Sequence, residues 1–281
     1  MEFLVMIKVD KAPIADLPLA FVTKGEFRTL KHCEFYDNPP PKYVSGEIPF
    51  PKVVRSIYQL AKDKLVESYG YKCCYCEKKY KYKGDLDVEH FRPSRFSKQT
   101  KTSAEIPLVY FWLAYEWDNL LLSCGTCNRT YKGNQFPLEN PKARATAKAR
   151  NIANERPSFI DPSTENPRSH ITFVNETPAS DCRRGKRTIQ GLGLRRKQLF
   201  EDRLEHLDKI RAYLKDVEMC FEFEELVREE GLAGARAMRL LSDHREKRLK
   251  AILFLTDAQN KDAPFSSMVQ DFLSQHSIDE L

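Results

Sequence analysis

Apolar and polar positions recur along this chain in two rhythms. Over residues 53–69 (VVRSIYQLAKDKLVESY), Val53, Ile57, Leu60, Ala61, Leu65 and Tyr69 return close to every 3.6 positions. That spacing predicts a helix with one buried stripe, and Gly70 follows as its stop. Residues 84–91 (GDLDVEHF) alternate instead, which predicts a strand or hairpin with His90 near its end. Leu108 to Trp117 is rich in aromatics, and Asn119 to Ser123 is an apolar approach to a cysteine pair. Residues 127–133 predict the start of a helix that carries Asn128 and Lys132 on one face. A short basic helix over KARATAKARNIANE and a strand at HITFV are expected next. From Thr188 the pattern is helical, with Leu199, Leu204, Leu207, Ile210 and Leu214 on one stripe. A second long helix is expected from about 235 to 255. The sum predicts an α+β protein, mainly helical, with no internal repeat.

Prolines at 13, 18, 39, 40, 41, 49 and 51 interrupt the first fifty residues. Proline locks φ and removes a donor, so this stretch is expected to be an extended, wrapping arm rather than a packed element. The chain then divides into an arm (1–52), a core with the cysteine pairs (53–140), a connector with one short strand (141–190) and a helical region (191–281). The acidic end reads as ordinary solvated terminus.

The 281 residues are 41% hydrophobic and 31% charged, as in a globular protein with a substantial core. No run nears the roughly 18 apolar residues of a membrane span. The first residues lack a basic stretch and a small-residue cleavage site, so no secretion signal is read and the cytoplasm is the expected compartment. The net charge of +6 leans toward a polyanionic partner without proving one.

Four of the eight cysteines form two Cys-x-x-Cys pairs, Cys73/Cys76 and Cys124/Cys127, 48 positions apart. Cys33, Cys74, Cys182 and Cys220 are scattered. Four thiolates match the tetrahedral preference of Zn²⁺, and the long gap lets one ion staple two distant segments. A redox role would need only one pair. Between the pairs lies Glu89-His90, with Asp87 before it and Asn119 and Asn128 after. A hard cation such as Mg²⁺ or Mn²⁺ takes oxygen ligands, which the Glu89 carboxylate and the Asn128 amide can supply. A neutral imidazole at His90 can take a proton from an attacking water.

These residues resemble the HNH (ββα-metal) nuclease motif in a zinc-stapled form. The resemblance implies Glu89 as a metal ligand, His90 as general base, Asn119 as the residue that holds the loop and orients the base, and Asn128 as the second metal ligand. Asp87 is an alternative or auxiliary carboxylate. Lys132 falls where the family often faces a basic residue to phosphate. CCYCE, VEHFRP, W.NL..SC and RGK.TI..LGL.R..L are similar, further, to the HNH subunit of Septu-type and retron-linked antiphage systems. That likeness implies a metal-dependent endonuclease, DNA favoured over RNA, paired with an ABC-type ATPase. A non-catalytic zinc module would explain the cysteines but not Glu89, His90, Asn119 and Asn128. Backbone phosphate contact is expected of Arg92 and Arg95, of Arg183, Arg184, Lys186 and Arg187, and of the cluster Arg195, Arg196 and Lys197; Arg144, Lys148 and Arg150 are weaker candidates.

Overall fold

A computed structural model describes residues 8–276. It is a mixed α+β fold, mainly helical, whose strands form short two-stranded ladders. The acidic end expected at the C-terminus lies outside the described residues.

The first departure from expectation is α1 (Leu19–Asp37), a 19-residue helix inside the stretch predicted to be extended. Pro18 stands at its N-cap and the next proline is Pro39, so the prolines delimit the helix and do not interrupt it. Phe21, Gly25 and His32 form its buried side. Gly25 is needed for that approach: a Cβ there would lie 3.0 Å from the Tyr115 side chain. Further upstream, Lys11 donates to the carbonyls of Trp117 and Leu120, at 2.6 and 3.2 Å, so the arm is tied to the core.

The predicted 53–69 helix arrives in pieces. A single turn at Arg55–Tyr58 and a 3₁₀ turn at Gln59–Ala61 precede α2 (Lys62–Tyr69). Gly70 ends it in the left-handed region, at φ 57°, as the sequence predicted. Leu65, Val66 and Tyr69 pack on an antiparallel ladder of β1 (Leu86–His90) and β2 (Leu120–Cys124), with Leu86 facing Cys124 and His90 facing Leu120. Every residue of β2 is buried, so its alternation is absent from the sequence. Immediately after β2, Thr126–Lys132 winds as a π-helical turn.

The basic helix expected over 142–155 does not form. Only a 3₁₀ turn at Pro141–Ala143 appears, and Arg150 sits at φ 45°. Arg144 and Arg150 explain the loss, because both reach out of the segment. Arg144 binds Ser97, Tyr110, Gln99 and the Phe136 carbonyl, and Arg150 forks onto Asp37 of α1 at 2.6 and 3.0 Å. Tertiary contacts thus outweigh local propensity.

A small hairpin, β3 (Thr172–Val174) with β4 (Thr177–Ala179), leads into α3 (Arg183–Gly191). The long helices α4 (Lys197–Glu229) and α5 (Ala235–Ala258) form an antiparallel pair, with Tyr213 stacked on Phe254 at 3.9 Å. The buried stripe of α4 is Leu199, Arg203, Leu207, Ile210, Leu214 and Val217. Arg203, not the expected Leu204, holds the core position. A short final helix, α6 (Ser266–Leu273), fills the remaining gap with Met268, Val269, Phe272 and Leu273. No described helix is long and apolar enough to cross a membrane.

Candidate metal and catalytic centre

Cys73 and Cys76 sit on a knuckle that α2 delivers to the end of the β1–β2 ladder. Glu77 at φ 59° lets the chain fold back, so that the Glu77 N–H donates to the Cys73 carbonyl at 3.0 Å. Cys124 ends β2 and Cys127 lies on the π-helical turn. The four Sγ atoms lie within 4.8 Å of one another, all on buried residues, and Cys76 and Cys124 are 3.9 Å apart. A tetrahedral Zn–S bond of about 2.3 Å sets sulfurs about 3.8 Å apart, whereas a disulfide needs about 2.0 Å. The four cysteines therefore fit a thiophilic ion. Burial pushes the Cys73 thiol up, so a metal would have to displace protons on binding.

Four thiolates around a dication carry a net charge of −2, which a buried site must offset. Arg196 places a guanidinium nitrogen 3.5 Å from the Cys127 sulfur. Arg203 is 2% exposed, donates to the Leu194 carbonyl at 2.7 Å and lies over the Phe173 ring at 4.9 Å. Burial pulls it down to about 10, still a cation at neutral pH, and the charge of Cys76 works against that fall. A buried arginine thus stands within the apolar stripe of α4, in electrostatic reach of Cys76. Arg196 was expected on phosphate; it faces the cysteines instead.

On the helix-facing side of β1, alternation brings Asp87 and Glu89 together. Asp87 meets Asn128 at 3.4 Å and the Arg129 Nε at 3.1 Å, both from the π-helical turn. Rotating the Asn128 amide turns its oxygen to the same point, so the pair offers two hard oxygens. Glu89 is deeper. Its Oε1 lies 2.6 Å from Lys132 Nζ, which also donates to the His90 carbonyl at 2.9 Å. Lys132 is 1% exposed, so it does not face phosphate as expected. A carboxylate buried among apolar groups needs a cation, and Lys132 supplies it. Burial still pushes the Glu89 carboxyl up, against the pull of Lys132. Despite its short ion pair, Glu89 Oε1 has no well-aligned hydrogen bond among the described residues, and neither has Ser123 Oγ, opposite Asp87 in the ladder.

His90 points to the other side of the strand. Its Nε2 lies 2.9 Å from the Ala114 carbonyl, which can only accept, so the neutral ring carries its proton at Nε2 and its lone pair at Nδ1. The Tyr58 ring stands edge-on at 4.9 Å. Burial lowers His90 to about 4, which keeps it neutral in ordinary buffers. Asn119 clamps the chain next to it. Its Oδ1 accepts from Arg92 N at 2.8 Å, and its Nδ2 donates to the carbonyls of Arg92 and Leu113 at 3.0 Å each. Asn119 therefore acts on His90 through backbone, by holding both the following turn and the segment that supplies the Ala114 carbonyl.

The basic candidates divide. Arg92 is committed to Glu155 at 2.9 Å and lies over Phe136. Arg184 spends its donors on Glu165, Pro157 and Phe159, at 2.6–3.2 Å. Each thus has a carboxylate partner within the fold, Glu155 for Arg92 and Glu165 for Arg184. Arg95, Arg183 and Lys186 are exposed. Arg187 lines a groove of about 310 Å³ with Lys101, Tyr131 and Gln190, and Lys186 lines a second of about 520 Å³ with Tyr131 and Arg195. Sequence reasoning passed over Arg129 and Tyr58. Arg129 was visible as the neighbour of Asn128; nothing local marks Tyr58.

No protein-family model matches the sequence, and no solved structure matches it. Over 145 residues, 50% of the chain, the sequence is 32% identical to the Septu protein PtuB of Bacillus mycoides (strain KBAB4). The match covers 49% of that protein, so the chain spans about half the length of the curated relative it matches.

Proposed function

We propose that this protein is a metal-dependent HNH-type endonuclease, the effector of a Septu-like antiphage system that works with an ATPase partner. One observation carries the reading: Asp87 and Asn128 converge from a strand and the following helical turn, and the same strand ends in His90, which burial keeps neutral on its opposite face. The similarity to a Septu protein supports the defence role.

The four cysteines would hold a structural Zn²⁺ that joins the knuckle to the end of β2. Asp87 and Asn128, with Glu89 behind them, would hold a hard divalent cation, Mg²⁺ or Mn²⁺, which supplies Lewis-acid relief of the charge that develops on a phosphodiester. His90 takes the proton of the attacking water at Nδ1, since Nε2–H is engaged by the Ala114 carbonyl. Asn119 keeps that carbonyl and the His90 turn in register. Arg129, 75% exposed on its side chain and bound among the described residues to Asp87, is free to swing onto a phosphate oxygen. Water attack needs no 2′-hydroxyl, so the chemistry serves DNA, the favoured substrate, and also RNA. A second reading, a non-catalytic zinc module that binds nucleic acid, is favoured by the closed Glu89–Lys132 pair.

Cleavage of plasmid DNA and of tRNA with Mg²⁺ or Mn²⁺, with and without the ATPase encoded beside it, tests the proposal. His90→Ala and Asp87→Ala should each lower the rate by about 10²-fold or more with fold and zinc retained. Equal cleavage by wild type and His90→Ala would refute the base. Absence of cleavage in every lane, with the partner and ATP present, would favour the binding module.

A further inference from the structure

Cys182, His170 and Glu165 come from three separate stretches and converge at the start of α3. The Cys182 sulfur lies 3.4 Å from His170 Nδ1, and His170 Nε2 lies 3.3 Å from Glu165 Oε2. A further donor aims at the sulfur, the Gly185 N–H at 3.3 Å; the Ser180 hydroxyl lies 3.7 Å from it and nearer, at 3.1 Å, to the Cys182 carbonyl. Cys182 is itself the N-cap of α3, a helix of nine residues. A cap needs one acceptor, and Ser, Thr, Asp or Asn serve that purpose well. An imidazole within 3.4 Å of the sulfur, with a carboxylate behind it, goes beyond what capping requires. It is the arrangement that turns a thiol into a nucleophile.

We propose that Cys182 is a reactive thiolate, paired with His170 and backed by Glu165, and a modification site for small hydroperoxides. The cluster is separate from the cysteines of the candidate metal site, and the proposal is independent of nuclease activity. Burial alone would raise the thiol; the Gly185 N–H, His170 and Ser180 outweigh it and bring Cys182 down to about 7. The charged groups facing the pair are Glu165 and Arg184. Arg184 grips Glu165 with two bonds of 2.6 Å and comes within 3.5 Å of His170 Nε2. Cys33 provides the internal contrast: it is also half-buried, but burial pushes its thiol up.

In the reaction the Cys182 sulfur attacks one peroxide oxygen. His170 Nδ1 receives the thiol proton; an S–O bond forms, the O–O bond breaks, and the departing hydroxide or alkoxide takes that proton and leaves as water or an alcohol. The sulfur is oxidised by two electrons to the sulfenic acid, and the peroxide is reduced by two.

The test is site-resolved alkylation of the full, zinc-loaded chain with iodoacetamide from pH 5 to 10, read by peptide mass spectrometry. Cys182 should label with a midpoint near pH 7, and about tenfold or more faster than Cys33 at that pH. His170→Gln should move the Cys182 midpoint up toward the ordinary thiol value of about 8.5. Hydrogen peroxide followed by dimedone should tag Cys182 in the wild type and leave Cys182→Ser untagged at that peptide. A Cys182 midpoint at or above that of Cys33 would overturn the proposal in the wild-type protein alone. So would a midpoint unmoved by His170→Gln, which would reduce the sulfur to a helix cap.

Discussion

Replacing Lys132 with Met probes how the centre is built. The ammonium is enclosed and bridges the Glu89 carboxylate at 2.6 Å and the His90 carbonyl at 2.9 Å. Met matches the volume of the stem and removes the charge, leaving Glu89 buried without a cation. Breaking a buried pair in this way costs about 3–5 kcal/mol, and the lost bond to the carbonyl about 1 more. For a chain of this size that lowers Tm by on the order of 10 °C. Adding Glu89→Gln on top should recover most of the loss, because an uncharged replacement of a buried ion pair is often near neutral. The four corners of the cycle are compared by urea unfolding at pH 7.5, with zinc content measured for each. A Lys132→Met protein within about 0.5 kcal/mol of wild type, or a double variant no more stable than the single, would refute the claim that Lys132 exists to neutralise Glu89. It would also return Lys132 to the substrate side of the site.

Cys124→Ala should abolish zinc retention, measured by chelator titration, and leave an open or unfolded chain at 37 °C, since structural metal binding is folding energy; a folded, zinc-loaded variant would disprove the staple. Gly193 has φ +57°, and a Cβ there would fall 2.0 Å from the Tyr131 ring, so Gly193→Ala should cost about 2–4 kcal/mol in denaturant unfolding. His32 is enclosed by Phe50, Phe111 and Tyr115, neither of its nitrogens has a well-formed bond, and burial lowers its affinity for protons. The unfolded chain therefore takes up a proton below about pH 6.5 that the native state refuses, and stability should fall as pH drops from there. In His32→Leu the loss of Tm between pH 7 and pH 5 should be smaller than in wild type, and an equal loss would remove His32 as the cause.

How much of this was legible in the amino-acid sequence depends on how local each cause is. The Cys-x-x-Cys spacing, the alternation through His90, the Gly70 stop and the two long helices are written within a few residues of where they act, and all reappear in the structure. The 19-residue α1 is hidden by the high proline content of the segment as a whole, although those prolines stand at its ends, where they permit a helix. The basic helix over 142–155 was overestimated because propensity is a local quantity, while Arg144 and Arg150 are claimed by partners far along the chain. Glu89 and Lys132 could be listed from the sequence, but only folding decided that they neutralise each other and leave Asp87 with Asn128 at the accessible face. The same holds for Arg203, whose place in a leucine stripe brings it within electrostatic reach of Cys76 and Cys127, more than seventy residues away. Side-chain identity and spacing determine which ligands and nucleophiles a chain can offer. Burial and charge pairing, which arise only when distant segments close on one another, decide which of them stay free to act.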